Sequence, residues 1–361
     1  KMPITVNLRE VRKIVKALHP TKRSILLLGS TGIGKSKIFE DIAKELNVSC
    51  KVTEASSLDP CDIRGIPYVS EGESFFGRPA LLPKKDDGPN GLLVIDELAS
   101  CMPAVQVSLY SLFLERRMGD YKLPEGWIPM GTGNYSTDSA VAYSLSTALT
   151  DRLFILNVEP DYEIWKEDFA YPKGIDQKII SFLNFDTKCF YTFHKREKSA
   201  RGKAFASPRS WEMASDAIKT NLDDKSLSAV LAGSLGEGVT MEFLSFLKVW
   251  KELPDINDIY SGKLKKFKKE AEPSVLYALS GSLVNGLTKL PSEISLFTAF
   301  ENMLLFVMDN FPAEFNVLIA KDIFRDRTDG YDKEFIKVIQ QTKGYAEWKK
   351  RYLKHLHPSS K

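Results

Sequence analysis

The first half of the chain alternates short apolar runs with stretches of helical spacing. Ile25-Leu26-Leu27-Leu28 and Leu92-Leu93-Val94-Ile95 are unbroken apolar runs, as strands buried on both faces require. Residues 50–54, 127–132 and 153–158 supply three more strand-like segments. Between them, Ile38, Phe39, Ile42, Ala43 and Leu46 follow helical spacing, and Val105, Leu109, Leu112 and Phe113 do so over residues 103–117. An opening helix is predicted over residues 5–19, with Leu8, Val11, Ile14, Val15 and Leu18 on one face. Asn7 and Glu10 have capping-box spacing there, and His19-Pro20 stops the helix. Strand and helix thus alternate through residue 158, which predicts a parallel α/β sheet of five strands. After residue 160 the texture changes. Segments at 226–235, 239–251, 272–286, 291–311 and 332–353 carry helical periodicity almost throughout. Two domains are therefore expected, an α/β domain over residues 1–159 and an all-α region over residues 160–361.

Residues 61–83 interrupt the alternation. Ile66-Pro67-Tyr68-Val69-Ser70, a Glu71-Gly72 turn and Ser74-Phe75-Phe76-Gly77 read as an inserted hairpin. Its aromatic side chains either pack inward or sit on an exposed working loop.

The first apolar run leads into Gly29-Ser30-Thr31-Gly32-Ile33-Gly34-Lys35-Ser36, and an amphipathic helix follows. Strand, glycine-rich loop and helix with this spacing form a P-loop. Glycines let successive backbone N–H groups curl around a polyphosphate, and the helix N-terminus adds partial positive charge. Lys35 can reach the outer phosphates, and the Ser36 hydroxyl can join the coordination shell of Mg²⁺. Residues 29–36 are therefore expected to bind a nucleoside triphosphate.

The second apolar run ends in Asp96-Glu97. Acids at the carboxyl end of a buried parallel strand stand at the edge of the sheet where ligands bind. Asp96 can hold Mg²⁺ through water, and Glu97 can orient and deprotonate an attacking water. The next strand ends in Gly131-Thr132-Gly133-Asn134. Asn134 could contact the terminal phosphate and its water, or simply serve as a turn residue.

Composition narrows the class. Four cysteines (Cys50, Cys61, Cys101, Cys189) form no C-x-x-C pair and only four histidines are present, so no zinc site is expected and the thiols suit a reducing compartment. Apolar runs such as Leu92–Ile95 are too short to span a bilayer. We expect a cytoplasmic protein without a membrane partner. The net charge of +3 is too slight to demand a nucleic-acid partner, and clusters such as Lys263–Lys269 and Lys349–Lys354 read as solvated helix faces. No N-K-x-D guanine motif is present, which disfavours a Ras-like GTPase.

The order of these motifs resembles the AAA+ ATPases, and within them the MoxR branch. Ala148-Leu149-Thr150-Asp151-Arg152-Leu153 is similar to that branch's A-L-x-D-R-F signature, with Leu153 where Phe is usual. Ser207-Pro208-Arg209 is similar to its second-sensor motif, and residues 58–65 through Leu82-Pro83 resemble its insert after the second strand. The resemblance covers roughly residues 5–220 and nothing specific past about residue 255.

It implies a P-loop NTPase domain followed by an all-α lid domain with a helical C-terminal extension. Lys35 and Ser36 would bind phosphate and Mg²⁺, Asp96 would support the metal, and Glu97 would be the catalytic base. Asn134 would be the first sensor and Arg209 the second, while Arg152 would be an arginine finger acting on ATP held by a neighbouring subunit. ATP and Mg²⁺ are the implied cofactors. The implied partners are further copies in a homo-oligomeric ring, a hexamer by analogy, and a protein client such as one with a von Willebrand factor A domain. A motor or loader acting on nucleic acid is the alternative.

Overall fold

A run of Leu, Ile and Val offers no polar face to water, so it must be covered on both sides, and helices returning between parallel strands do the covering. The computed structural model describes residues 4–135, 145, 147–193, 203–268, 271–324 and 333–356. It divides into two compact units, Lys1–Ile164 and Trp165–Lys361.

The first unit runs β1 (Thr5–Val6), α1 (Leu8–Leu18), β2 (Ile25–Gly29), α2 (Lys35–Glu45), β3 (Ser49–Glu54) and α3 (Pro60–Arg64). It continues through β4 (Pro67–Ser70), β5 (Glu73–Phe76), β6 (Asn90–Asp96) and α4 (Pro103–Glu115). Then come β7 (Arg117–Met118), β8 (Tyr121–Lys122), β9 (Gly126–Gly133), α5 (Thr147–Thr150) and β10 (Phe154–Val158). The main sheet has the order β1-β10-β2-β9-β6-β3, and every pair in it is parallel.

The sheet has six strands, one more than the five expected from the sequence. Thr5 and Val6 pair with Asn157 and Val158, so the segment expected to open a helix at residue 5 is an edge strand, and α1 begins at Leu8. Two residues are too few to show a period, and only the neighbouring strand makes them one. The capping box does form: Asn7 Oδ1 accepts the Glu10 N–H at 3.0 Å, and Glu10 Oε2 accepts the Asn7 N–H at 2.8 Å. Val11 and Val15 on the helix's apolar face are fully buried.

Below the sheet edge, Leu93, Ile95, Val105, Leu109, Leu112 and Trp127 belong to one core in which β6 and α4 pack together. The inserted hairpin is present as antiparallel β4 and β5, and every residue of the two strands is exposed except Phe75, which is half-buried. Tyr68 stacks on Phe75 with ring centroids 5.8 Å apart, while Ile66 and Val69 are 76% and 73% exposed. Of the two readings of its aromatics, the exposed one holds. A second small hairpin, β7–β8, escaped the sequence reading, and the Phe76 N–H donates to Asp120 Oδ2 beside its turn at 3.0 Å. Between residues 136 and 150 only residue 145 and α5 are described, and residues 136–144 and 146 lie outside the described residues.

Among its described residues the regular elements of the second unit are all helices. Phe182 packs against Trp211, Phe243 and Phe246 at centroid distances of 5.8, 5.1 and 5.6 Å. A further core, with Phe300, Met303, Val307, Ile319 and Trp348 at its centre, joins the helices Leu296–Asn310, Ala313–Phe324 and Lys343–Leu356. The basic stretch His194–Lys198 lies outside the described residues. No helix among the described residues is long and apolar enough to cross a membrane.

Candidate functional site

Strand order decides which loops meet. β2 lies between β10 and β9, and β9 lies between β2 and β6, so the segments leaving β2, β9 and β6 stand side by side at the carboxyl edge. These segments carry the P-loop, Asn134 and Asp96-Glu97 respectively. Parallel register levels them: Leu28 pairs with Gly133, and Ile95 with Gly131.

The P-loop conformation depends on its glycines. Gly34 is the residue before α2 and has φ +94°, a left-handed conformation that a side chain would strain. At Gly29 a Cβ would stand 2.5 Å from the Val158 carbonyl oxygen of β10, closer than two such atoms can approach. With the loop held in this shape, its backbone N–H groups and the first turn of α2 can serve as an anion-binding nest.

Lys35, the first residue of α2, is only 8% exposed, and its ammonium is fully engaged. Nζ donates to the Gly29 carbonyl at 2.8 Å, the Ser30 carbonyl at 2.7 Å and Asn134 Oδ1 at 2.9 Å. A buried cation needs such partners, and the same three donors can turn to phosphate oxygens. The adjacent Ser36 hydroxyl donates to Asp96 Oδ2 at 2.7 Å. A hydroxyl beside a carboxylate supplies the hard oxygen donors that Mg²⁺ takes. These residues fit the metal, with Ser36 as direct ligand and Asp96 behind it; the ion would supply charge neutralisation between the outer phosphates.

Glu97 follows at once. It has φ +56°, a left-handed value rare for a residue with a side chain and costing on the order of 1–3 kcal/mol. Its N–H donates to Asp96 Oδ1 at 3.0 Å and to Thr132 Oγ1 at 3.3 Å, and its carbonyl accepts the Ser100 N–H at 2.8 Å. The Thr132 hydroxyl also donates to Asp96 Oδ1. Thr132 is the member of the site that sequence reasoning missed. Its signal was the same phrase that disclosed Asn134, which stands two residues further along the chain.

Lys35, Ser36, Asp96, Glu97 and Asn134 are thus brought together at one sheet edge. Arg152 is not with them. It precedes β10, whose first residue, Phe154, pairs with Ile25 at the start of β2, so it lies at the amino-terminal edge. Arg209 is exposed in the first turn of the helix Pro208–Ile218 in the second unit. That helix is capped by Ser207, whose Oγ accepts the Ser210 N–H at 3.2 Å.

Fold and site together give the first unit the parallel α/β P-loop architecture of an AAA+ domain, and its implied ligand is a nucleotide. Residues 24–126 match the family described as AAA domain (dynein-related subfamily). Over 120 residues the chain is 32% identical to the Holliday junction branch migration complex subunit RuvB of Treponema pallidum; the match spans 32% of this chain and 28% of that protein's length. Among solved structures, the RuvB Holliday junction branch migration motor of Thermotoga maritima covers 84% of this chain and 86% of its own, at 17% identity and TM-score 0.34. NtrX from Brucella abortus covers 98% and 70%, at 13% identity and TM-score 0.34. Likeness at that level carries nothing about function.

Proposed function

We propose that this chain is a Mg²⁺-dependent ATPase of the MoxR type that works as a homo-oligomeric ring, a hexamer by analogy, on a protein client. The observation that carries the ATPase reading is the set of contacts Lys35–Asn134 and Ser36–Asp96 beside Glu97, which joins phosphate, metal and water-activating groups at one edge. In the proposed reaction a water oxygen attacks the γ-phosphorus while Glu97 takes its proton. The bond from that phosphorus to the bridging oxygen breaks, and ADP leaves. Lys35 follows the charge on the phosphates and Asn134 holds the water in line. Arg152 serves the site of the next subunit, and Arg209 reports nucleotide state through the helical unit. A protein with a von Willebrand factor A domain is the client class that the MoxR resemblance suggests.

The test is Glu97→Gln. We expect ATP binding within threefold of wild type and turnover lower by about 10²–10⁴, the usual contribution of a general base. Turnover at the wild-type rate would overturn the reaction assigned to this site.

A second reading, a motor on nucleic acid, is favoured by the 120-residue match to a protein named for Holliday junction branch migration. ATP turnover stimulated by duplex or branched DNA, with binding that weakens steeply as salt rises, would select it over the protein client.

A further inference from the structure

Thr132 is the penultimate residue of β9 and Asn134 follows the strand's end, and each reaches a different neighbour. Asn134 Oδ1 accepts Lys35 Nζ of the P-loop at 2.9 Å. Two residues earlier, Thr132 is tied to the acidic turn by three hydrogen bonds. Its hydroxyl donates to Asp96 Oδ1 and accepts the Glu97 N–H, and its carbonyl accepts the Leu98 N–H at 2.8 Å. Thr132 is fully buried, so water cannot replace that hydroxyl. The turn it holds contains Glu97 at φ +56°, a conformation that persists only where its surroundings over-determine it.

We infer that Thr132 is a positioning residue of the ATPase site: its hydroxyl fixes the Asp96 carboxylate toward the metal and locks the Glu97 turn so that the base meets the attacking water. This rests on the hydrolytic reading above. Asp96 Oδ1 is occupied by Thr132 and the Glu97 N–H, which leaves Oδ2 for Ser36 and the metal. Without the hydroxyl the carboxylate can rotate and the strained turn can relax, carrying the Glu97 side chain with it. Misplacement by about 1 Å costs on the order of 10² in rate.

The test compares Thr132→Val, which keeps the shape and loses the hydroxyl, with Thr132→Ser, which keeps the hydroxyl. Two readouts are used: kcat and KM for ATP, and ATP affinity with and without Mg²⁺. For Thr132→Val we expect kcat lower by about 30–100-fold, KM within threefold, and the gain in ATP affinity on adding Mg²⁺ reduced by about tenfold. Metal-free affinity should stay unchanged and Thr132→Ser should stay within threefold of wild type throughout. If Thr132→Val fails to fold, as judged by its melting curve, Thr132→Ala against Thr132→Ser decides. Wild-type kcat and wild-type Mg²⁺ response in Thr132→Val, or Thr132→Ser as impaired as Thr132→Ala, would overturn the inference. Glu97→Gln run alongside separates the causes. If it is inactive while Thr132→Val is normal, only the role of Thr132 fails, whereas active Glu97→Gln removes the hydrolytic reading itself.

Discussion

Arg152 gives the sharpest test of whether this domain completes its site with a second copy. Phe154 pairs with Ile25 and Val158 with Gly29, so the four residue steps of β10 separate the start of the strand from the P-loop. At about 3.3 Å per residue that is about 13 Å, and Arg152 lies further back still. An extended arginine side chain reaches only about 7 Å, so Arg152 does not serve the phosphates of its own chain. An arginine finger contributes about 10³–10⁵ in kcat, or about 4–7 kcal/mol, and Arg152→Ala should lose on that scale while still binding ATP. The informative experiment mixes Arg152→Ala with Glu97→Gln in equal amounts under conditions that allow subunit exchange. In a head-to-tail ring, a productive interface needs Glu97 from an Arg152→Ala subunit and Arg152 from a Glu97→Gln neighbour. Random mixing makes that roughly one interface in four, whatever the ring size. ATPase activity, read with the mass of the assembly, should therefore rise from near zero to about a quarter of wild type. Mixed rings of the right mass that stay at the parental level would refute the action of Arg152 across the interface.

Two further outcomes follow from the packing. Phe300 is fully buried in the core of the second unit, so Phe300→Ala should destabilise by about 3–5 kcal/mol, read as a lower urea midpoint; a loss below about 1 kcal/mol would contradict that core. Burial pushes the Cys50 and Cys101 thiols up to about 11, and burial together with Glu242 and Asp186 raises Cys189, whereas Cys61 is exposed. At pH 8 a thiol reagent should modify Cys61 first. Because the folded values of Cys50 and Cys101 lie above the unfolded value near 9, these two thiols favour folding most below pH 9. Their contribution should fade between pH 9 and about 11, seen as a falling melting temperature that Cys101→Ala partly removes.

Local sequence was enough wherever the physics is local. A glycine-rich loop between an apolar run and an amphipathic helix has few conformations open to it, and Gly29 and Gly34 occupy positions that a side chain would clash with or strain. The apolar runs announced β2 and β6 because a strand covered on both faces has no polar side to disguise it. Asn7 and Glu10 announced the start of α1 because a capping box is made within four residues.

Tertiary structure decided what depends on partners distant in sequence. Thr5-Val6 becomes a strand only because Asn157-Val158 offers hydrogen bonds, and so the sheet has six strands. Thr132 looks like a spacer between glycines until β9 is laid beside β6 and its hydroxyl meets Asp96, 36 residues away along the chain. The aromatics of the β4–β5 hairpin could not be placed from composition, since the same residues fill cores elsewhere in this chain. The residue types of the site were therefore legible in the chain. Which of them touch was fixed by strand order and parallel register, because hydrogen bonds between neighbouring strands join positions that no sequence period relates.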